Sequence, residues 1–196
     1  MEETISITKR KLFFIFGLII AIFSLLFFSP FQSGNLKEAS ALEVKFNQLN
    51  NAKTNVCAGP AILDNLKGDR LQGACCGSMD FHRYKEQLDG LKKYSEIDKI
   101  PADPYDIPRS LADELLTFQK TIMLTAEQQK VYDEAVKLSH EGGPCCCKCW
   151  RWYAFEGLAK YLITEKNFNA EQIAEVWDLE DGCGGPSHAV EHGQNE

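Results

Sequence analysis

The sequence predicts an all-α protein: one N-terminal transmembrane helix followed by a single cysteine-rich helical domain. Three observations carry this reading. An uncharged apolar run fills Leu12 to Phe28, helix-capping signals recur through the rest of the 196-residue chain, and long strand-like alternation is absent.

The run reads LFFIFGLIIAIFSLLFF, with only Gly17, Ala21 and Ser24 among large apolar side chains. A spanning helix needs about 20 apolar residues, with about 17 as the lower limit. Ser29-Pro30 closes the run, and Lys9, Arg10 and Lys11 stand directly before it. The positive-inside rule then keeps residues 1–11 cytoplasmic, makes 12–30 the anchor, and places everything after Pro30 outside. A cleaved signal peptide shares the basic start, although its apolar region usually spans about 7 to 15 residues. A buried core helix is the third reading. The small-x-small site Ala39-Ser40-Ala41 lies well downstream, and the first cysteine, Cys57, comes too late for a lipid anchor. Anchor and signal agree on export. The expected location is therefore a single-pass membrane protein with an extracytoplasmic C-terminal domain, its bilayer partner met by residues 12–30.

Residues 31–34 read as a linker, 35–185 as the helical domain and 186–196 as a flexible tail. From Leu36 to about Asn51, Ala39, Leu42, Phe46 and Leu49 share one face at helical spacing. A region punctuated by glycine and cysteine follows, in which Pro60 to Leu66 suits a short helix. Ser78 is the expected N-cap of a helix to about Tyr94, striped by Phe81, Tyr84, Leu88 and Leu91. The segment IPADPYDIP, with three prolines, reads as extended chain laid over the surface. Pro108 suits the first turn of a helix over about Arg109 to Thr121. Thr125 with Gln128 forms a capping box that opens a helix to Ser139 or His140, ended by Gly142-Gly143. Pro144 is read as opening another helix through Thr164, and Asn169 as capping a last one to about Leu179.

Charge excludes more than it assigns. The chain carries −7 overall, and residues 1–28 contribute +1 (Lys9, Arg10 and Lys11 against Glu2 and Glu3), leaving −8 for the exported part. Nucleic acid and anionic lipid surfaces need a basic footprint and are not expected partners. No G-x-S-x-G, P-loop, dinucleotide fingerprint or H-E-x-x-H occurs, so enzyme classes with local signatures gain no support. Nothing in the sequence names a protein partner.

The informative segment is Pro144-Cys145-Cys146-Cys147-Lys148-Cys149-Trp150, where four of the eight cysteines fall within five positions. Cores use cysteine singly as a small apolar filler, whereas dense thiolates suit soft ions such as Cu(I) or zinc. In an extended segment Cys145, Cys147 and Cys149 share one side; in a helix Cys145 and Cys146 both approach Cys149. A helix N-terminus and Lys148 would both favour thiolate. Trp150, Trp152 and Phe155 either wall such a site from water or belong to the plain core.

The candidate ligands are thus Cys145, Cys146, Cys147 and Cys149, completed by Cys75 and Cys76. Cys57, Cys183 and His140 are further candidates. Two alternatives stay open. Outside the cytoplasm an even cysteine count usually means disulfides, here Cys57, Cys75, Cys76 and Cys183 bridged to the 145–149 cluster. The other is thiol–disulfide exchange through Cys146 and Cys149, although the βαβ context of such pairs is missing. His82, His188 and His192 read as surface residues, and Asp178, Glu180 and Asp181 as a solvated helix end.

This segment resembles the signature of the PCYCGC-motif proteins, exported and often lipid-anchored bacterial proteins. Pro144, Cys145, Cys147 and Cys149 match that motif, while Cys146 and Lys148 replace its tyrosine and glycine. The resemblance, which covers about a quarter of the chain, implies export and cysteine chemistry and names no substrate.

Overall fold

The structure is a computed structural model and describes residues 31–185. Among them are six α-helices, two short 3-10 turns and one pair of three-residue strands. The helices are α1 (Phe31–Asn51), α2 (Phe81–Leu91), α3 (Arg109–Thr121), α4 (Ala126–Leu138), α5 (Trp150–Glu165) and α6 (Ala170–Leu179). The expected spanning run lies outside the described residues, as do the tail and its two histidines. No helix among the described residues is long and apolar enough to cross a membrane. Helix α1 begins at Phe31, so residues 31–34, read as a linker, are helical. From Lys45 onward its last turns belong to the packed unit that holds the rest of the described chain.

The core is organised around α5. WRWYAFEGLAKYLITE is apolar on nearly every side, and a helix of that kind must be buried all round. Trp150, Ala154, Phe155, Leu158, Ala159 and Leu162 are all buried, with α3, α4, α6 and the 3-10 turn Pro60–Asn65 packed around them. Gly157 sets the closeness of α3. A Cβ there would lie 2.0 Å from the Leu115 carbonyl oxygen and 2.7 Å from the Gln119 amide nitrogen. Helices α4 and α6 start at capping boxes formed by Thr125 with Gln128 and Asn169 with Gln172, as the sequence predicts.

Four local expectations are corrected. Asp80, not Ser78, caps α2, its carboxylate accepting from the Arg83 amide at 2.8 Å. The Ser78 carbonyl instead accepts from the Gly185 amide, which holds it in the loop before the helix. Helix α4 ends at Leu138, before Gly142-Gly143. Pro144 does not open a helix: the Trp150 amide donates to the Ala58 carbonyl at 2.7 Å, and Cys149 becomes the N-cap of α5. The cysteine run therefore lies on irregular backbone. Finally, strands β1 (Arg70–Gln72) and β2 (Asp106–Pro108) pair antiparallel, with Leu71 opposite Ile107. Both of those side chains enter the core, and Pro108 is tolerated at the end of an edge strand.

Candidate metal centre

Four segments far apart in sequence carry the eight cysteines, and the fold brings all four together. Asn55 joins three of them. Its amide nitrogen donates to the Gly73 carbonyl at 2.8 Å, and its oxygen accepts from the Trp150 indole at 3.1 Å. This buried residue thus ties the Cys57 segment to the Cys75-Cys76 loop and to the end of the 145–149 run. The fourth segment docks through backbone: the Cys75 amide donates to Gly182, and those of Cys76 and Gly77 donate to Cys183. Such close approach requires glycine at two positive-φ positions. A Cβ on Gly73 would lie 2.4 Å from the Ala52 carbonyl oxygen, and one on Gly184 would lie 2.8 Å from that of Gly77.

The sulfurs fall into two contact sets, Cys57 with Cys147 and the other six, which wider groups of three sulfurs join into one cluster. Cys145 lies 3.9 Å from Cys149 and 3.6 Å from Cys183, and Cys183 lies 3.0 Å from Cys146 and 3.9 Å from Cys75. Cys75 reaches Cys76 at 3.7 Å, and Cys57 reaches Cys147 at 3.1 Å. All eight are free thiols. A disulfide would bring two sulfurs to about 2.0 Å. Sulfurs around a zinc ion at about 2.3 Å stand about 3.8 Å apart in a tetrahedron, close to four of these six contacts. Three groups of three sulfurs lie within 4.8 Å of one another: Cys57, Cys76 and Cys147; Cys75, Cys76 and Cys183; and Cys145, Cys146 and Cys147. The donor set fits a soft ion.

The cluster has an inner and an outer part. Cys145, Cys149 and Cys183 are buried, with Trp152 packed against them, whereas Cys57, Cys76 and Cys146 are exposed. A cavity of about 460 Å³ opens onto Cys57, Cys75 and Cys76, bordered by Lys53, Asn55 and Ser78. Trp150 and Phe155 belong to the main core, leaving Trp152 as the aromatic wall.

The electrostatics are uneven across the network. The Cys149 thiol is held far below its ordinary range, first by Cys145 and then by Cys75 hydrogen-bonding to its sulfur. The backbone N–H groups of Trp152 and Arg151, at the start of α5, act in the same direction. Cys145 is pushed up by that same contact with Cys149, then by Cys183 and by burial. Burial, with Cys57 beside it, pushes Cys147 up to about 12. Under the cluster lies Arg151, fully buried, its guanidinium donating to the carbonyls of Pro104 and Glu180. The guanidinium works against the rise in the Cys75 thiol.

All six first-choice ligands lie in this network, together with Cys57 and Cys183. His140 is held elsewhere: its ring nitrogen Nδ1 sits 3.2 Å from Asp178, and it belongs to none of the three sulfur groups. The proposed redox pair is not the one in contact, since Cys146 meets Cys183 and Cys149 meets Cys145. The solvated helix end is corrected at Glu180, which is buried, with its carboxyl held well above the usual range by that burial. Sequence reasoning missed Asn55 and Arg151. A lone arginine inside an apolar helix beside the cysteine run was the available signal for the second. No family model, no curated protein and no solved structure matches the chain.

Proposed function

We propose that this chain is a membrane-anchored, extracytoplasmic protein that binds a soft metal ion through its cysteine thiolates, for metal capture, delivery or sensing. The observation that carries the reading is the convergence of eight free thiols from four segments into one cluster. Soft thiolate donors select Cu(I) or zinc over harder ions. The thiolate form of Cys149 is favoured by hydrogen bonds from Cys145 and Cys75 and by the backbone N–H groups at the start of α5, which makes it a further donor beside Cys145. The cavity at Cys57, Cys75 and Cys76 supplies a route from solvent. Export and anchoring are supported by the charge-flanked run Leu12 to Phe28 and by the resemblance of Pro144 to Cys149 to the PCYCGC motif.

The test is uptake by the reduced full chain in detergent, under anaerobic conditions, measured by elemental analysis after desalting. Retained Cu(I) or zinc, lost when Cys76 and Cys147 are both replaced by serine, is the expected result. No retained metal while all eight thiols titrate as free would sink the reading. Anchoring is tested separately: the protein should stay with membranes after a carbonate wash. A soluble product beginning near Leu42 would instead reveal a cleaved signal.

Thiol–disulfide exchange is a second reading, favoured by the two closest contacts, Cys146 with Cys183 and Cys57 with Cys147. Each pair joins distant segments and includes an exposed member. Cycling of those two pairs, with the other four cysteines unchanged, would favour this reading over metal binding.

A further inference from the structure

The three sulfur groups are not separate. Cys76 belongs to the group with Cys57 and Cys147 and to the group with Cys75 and Cys183; Cys147 belongs to the first group and to that with Cys145 and Cys146. Nine ligand positions are thus filled by seven cysteines, because two of them serve twice. We propose that the cluster is polynuclear: it binds up to three Cu(I) ions, each between three sulfurs, with Cys76 and Cys147 as bridging thiolates. This rests on the metal-binding reading above and specifies its ion, stoichiometry and ligand roles.

Three lines of chemistry support it. Closed zinc sites take four protein ligands, whereas the groups here are threefold, an arrangement that a monovalent soft ion accepts. A thiolate has more than one lone pair and can bind two ions at once. Sharing also lowers the negative charge accumulated per ion. That matters because Cys145, Cys149 and Cys183 are buried, and the buried cation beside them is Arg151. The position of the shared residues is consistent with bridging. Cys147 stands midway along the 145–149 run, and Cys76 stands between the exposed Cys57 and the buried Cys183. Cys149 remains outside the three groups, within reach of Cys145 as a terminal donor.

The experiment is an anaerobic Cu(I) titration of the reduced full chain in detergent, against a chromogenic Cu(I) chelator, with the bound count read by native mass spectrometry. The parent is expected to saturate above one Cu(I), at up to three. Cys76→Ser and Cys147→Ser should each lose two ions. Cys57→Ser and Cys146→Ser, which remove unshared ligands, should each lose one. Far-UV dichroism checks that each variant is folded. Cys76 is exposed, so Cys76→Ser still decides the matter if Cys147→Ser fails to fold. Saturation at a single Cu(I), or equal losses from shared and unshared positions, would overturn the polynuclear proposal while leaving metal binding in place. Absence of any Cu(I) or zinc uptake would remove both.

Discussion

Replacing Arg151 by methionine tests the link between the core and the cluster. The side chain is fully buried, lies 4.9 Å from the Phe155 ring centroid and donates to the carbonyls of Pro104 and Glu180. Methionine keeps much of the packing volume but offers no donor. Two buried carbonyls then lose their partners, at about 1–3 kcal/mol each, or roughly 2–6 kcal/mol together. The guanidinium's own desolvation cost is recovered, but the stranded groups stay where they are. Beside them the Glu180 carboxyl, whose two oxygens have no hydrogen-bond partner among the described residues, loses the attraction of the guanidinium. A domain of this size is stable by about 5–15 kcal/mol, so the change removes a large part of the margin. At about 2–4 °C per kcal/mol, Tm should fall by roughly 4–24 °C. The assay is thermal unfolding of the reduced, metal-free full chain, followed by far-UV dichroism. A Tm within about 2 °C of the parent, less than the effect of one hydrogen bond on that scale, would show that the Arg151 hydrogen bonds do not hold this region together.

Three further outcomes follow from the fold. Gly157→Ala should force α3 away from α5 and cost about 1–3 kcal/mol by overpacking, seen as a lower denaturation midpoint; an unchanged midpoint would mean that the helices separate freely. Thr125→Ala removes the side-chain half of a box whose contacts measure 3.3 and 3.0 Å, and should cost about 0.5–2 kcal/mol. Burial acts to raise the Asp106 carboxyl, but Arg70, Gln72 and Lys45 outweigh it and hold the group below the usual carboxylate range. A depressed folded pKa gives stability that is present above the unfolded value of about 3.9 and is lost as pH falls below it. The Tm gap between parent and Asp106→Asn should therefore shrink on acidification through about pH 4, and a gap independent of pH would contradict the assignment.

The helices that the sequence announces are those with local chemistry. Thr125, Gln128, Asn169 and Gln172 cap α4 and α6 because a capping box closes within four residues and needs no tertiary partner. Strands β1 and β2 escape detection because three residues are too few for a two-residue period to register. The start of α5 is set by Ala58, more than ninety residues away, so Pro144 misleads. At the cluster, the density of cysteines around 145–149 marks the chemistry. Which distant cysteines join depends on Asn55, Gly73 and Gly184, whose roles are fixed only when the segments meet. His140 illustrates the converse: proximity in sequence to Cys145 counts for little once Asp178 holds it.

If the proposed function holds, the eight thiols serve a metal rather than a set of bridges. This is tested on protein isolated anaerobically from its native cells, by elemental analysis beside a mass-spectrometric count of cysteines that can be alkylated after denaturation with a chelator. Bound copper or zinc is expected, with most of the eight cysteines alkylated. A metal-free protein with all eight cysteines in stable disulfides would contradict it.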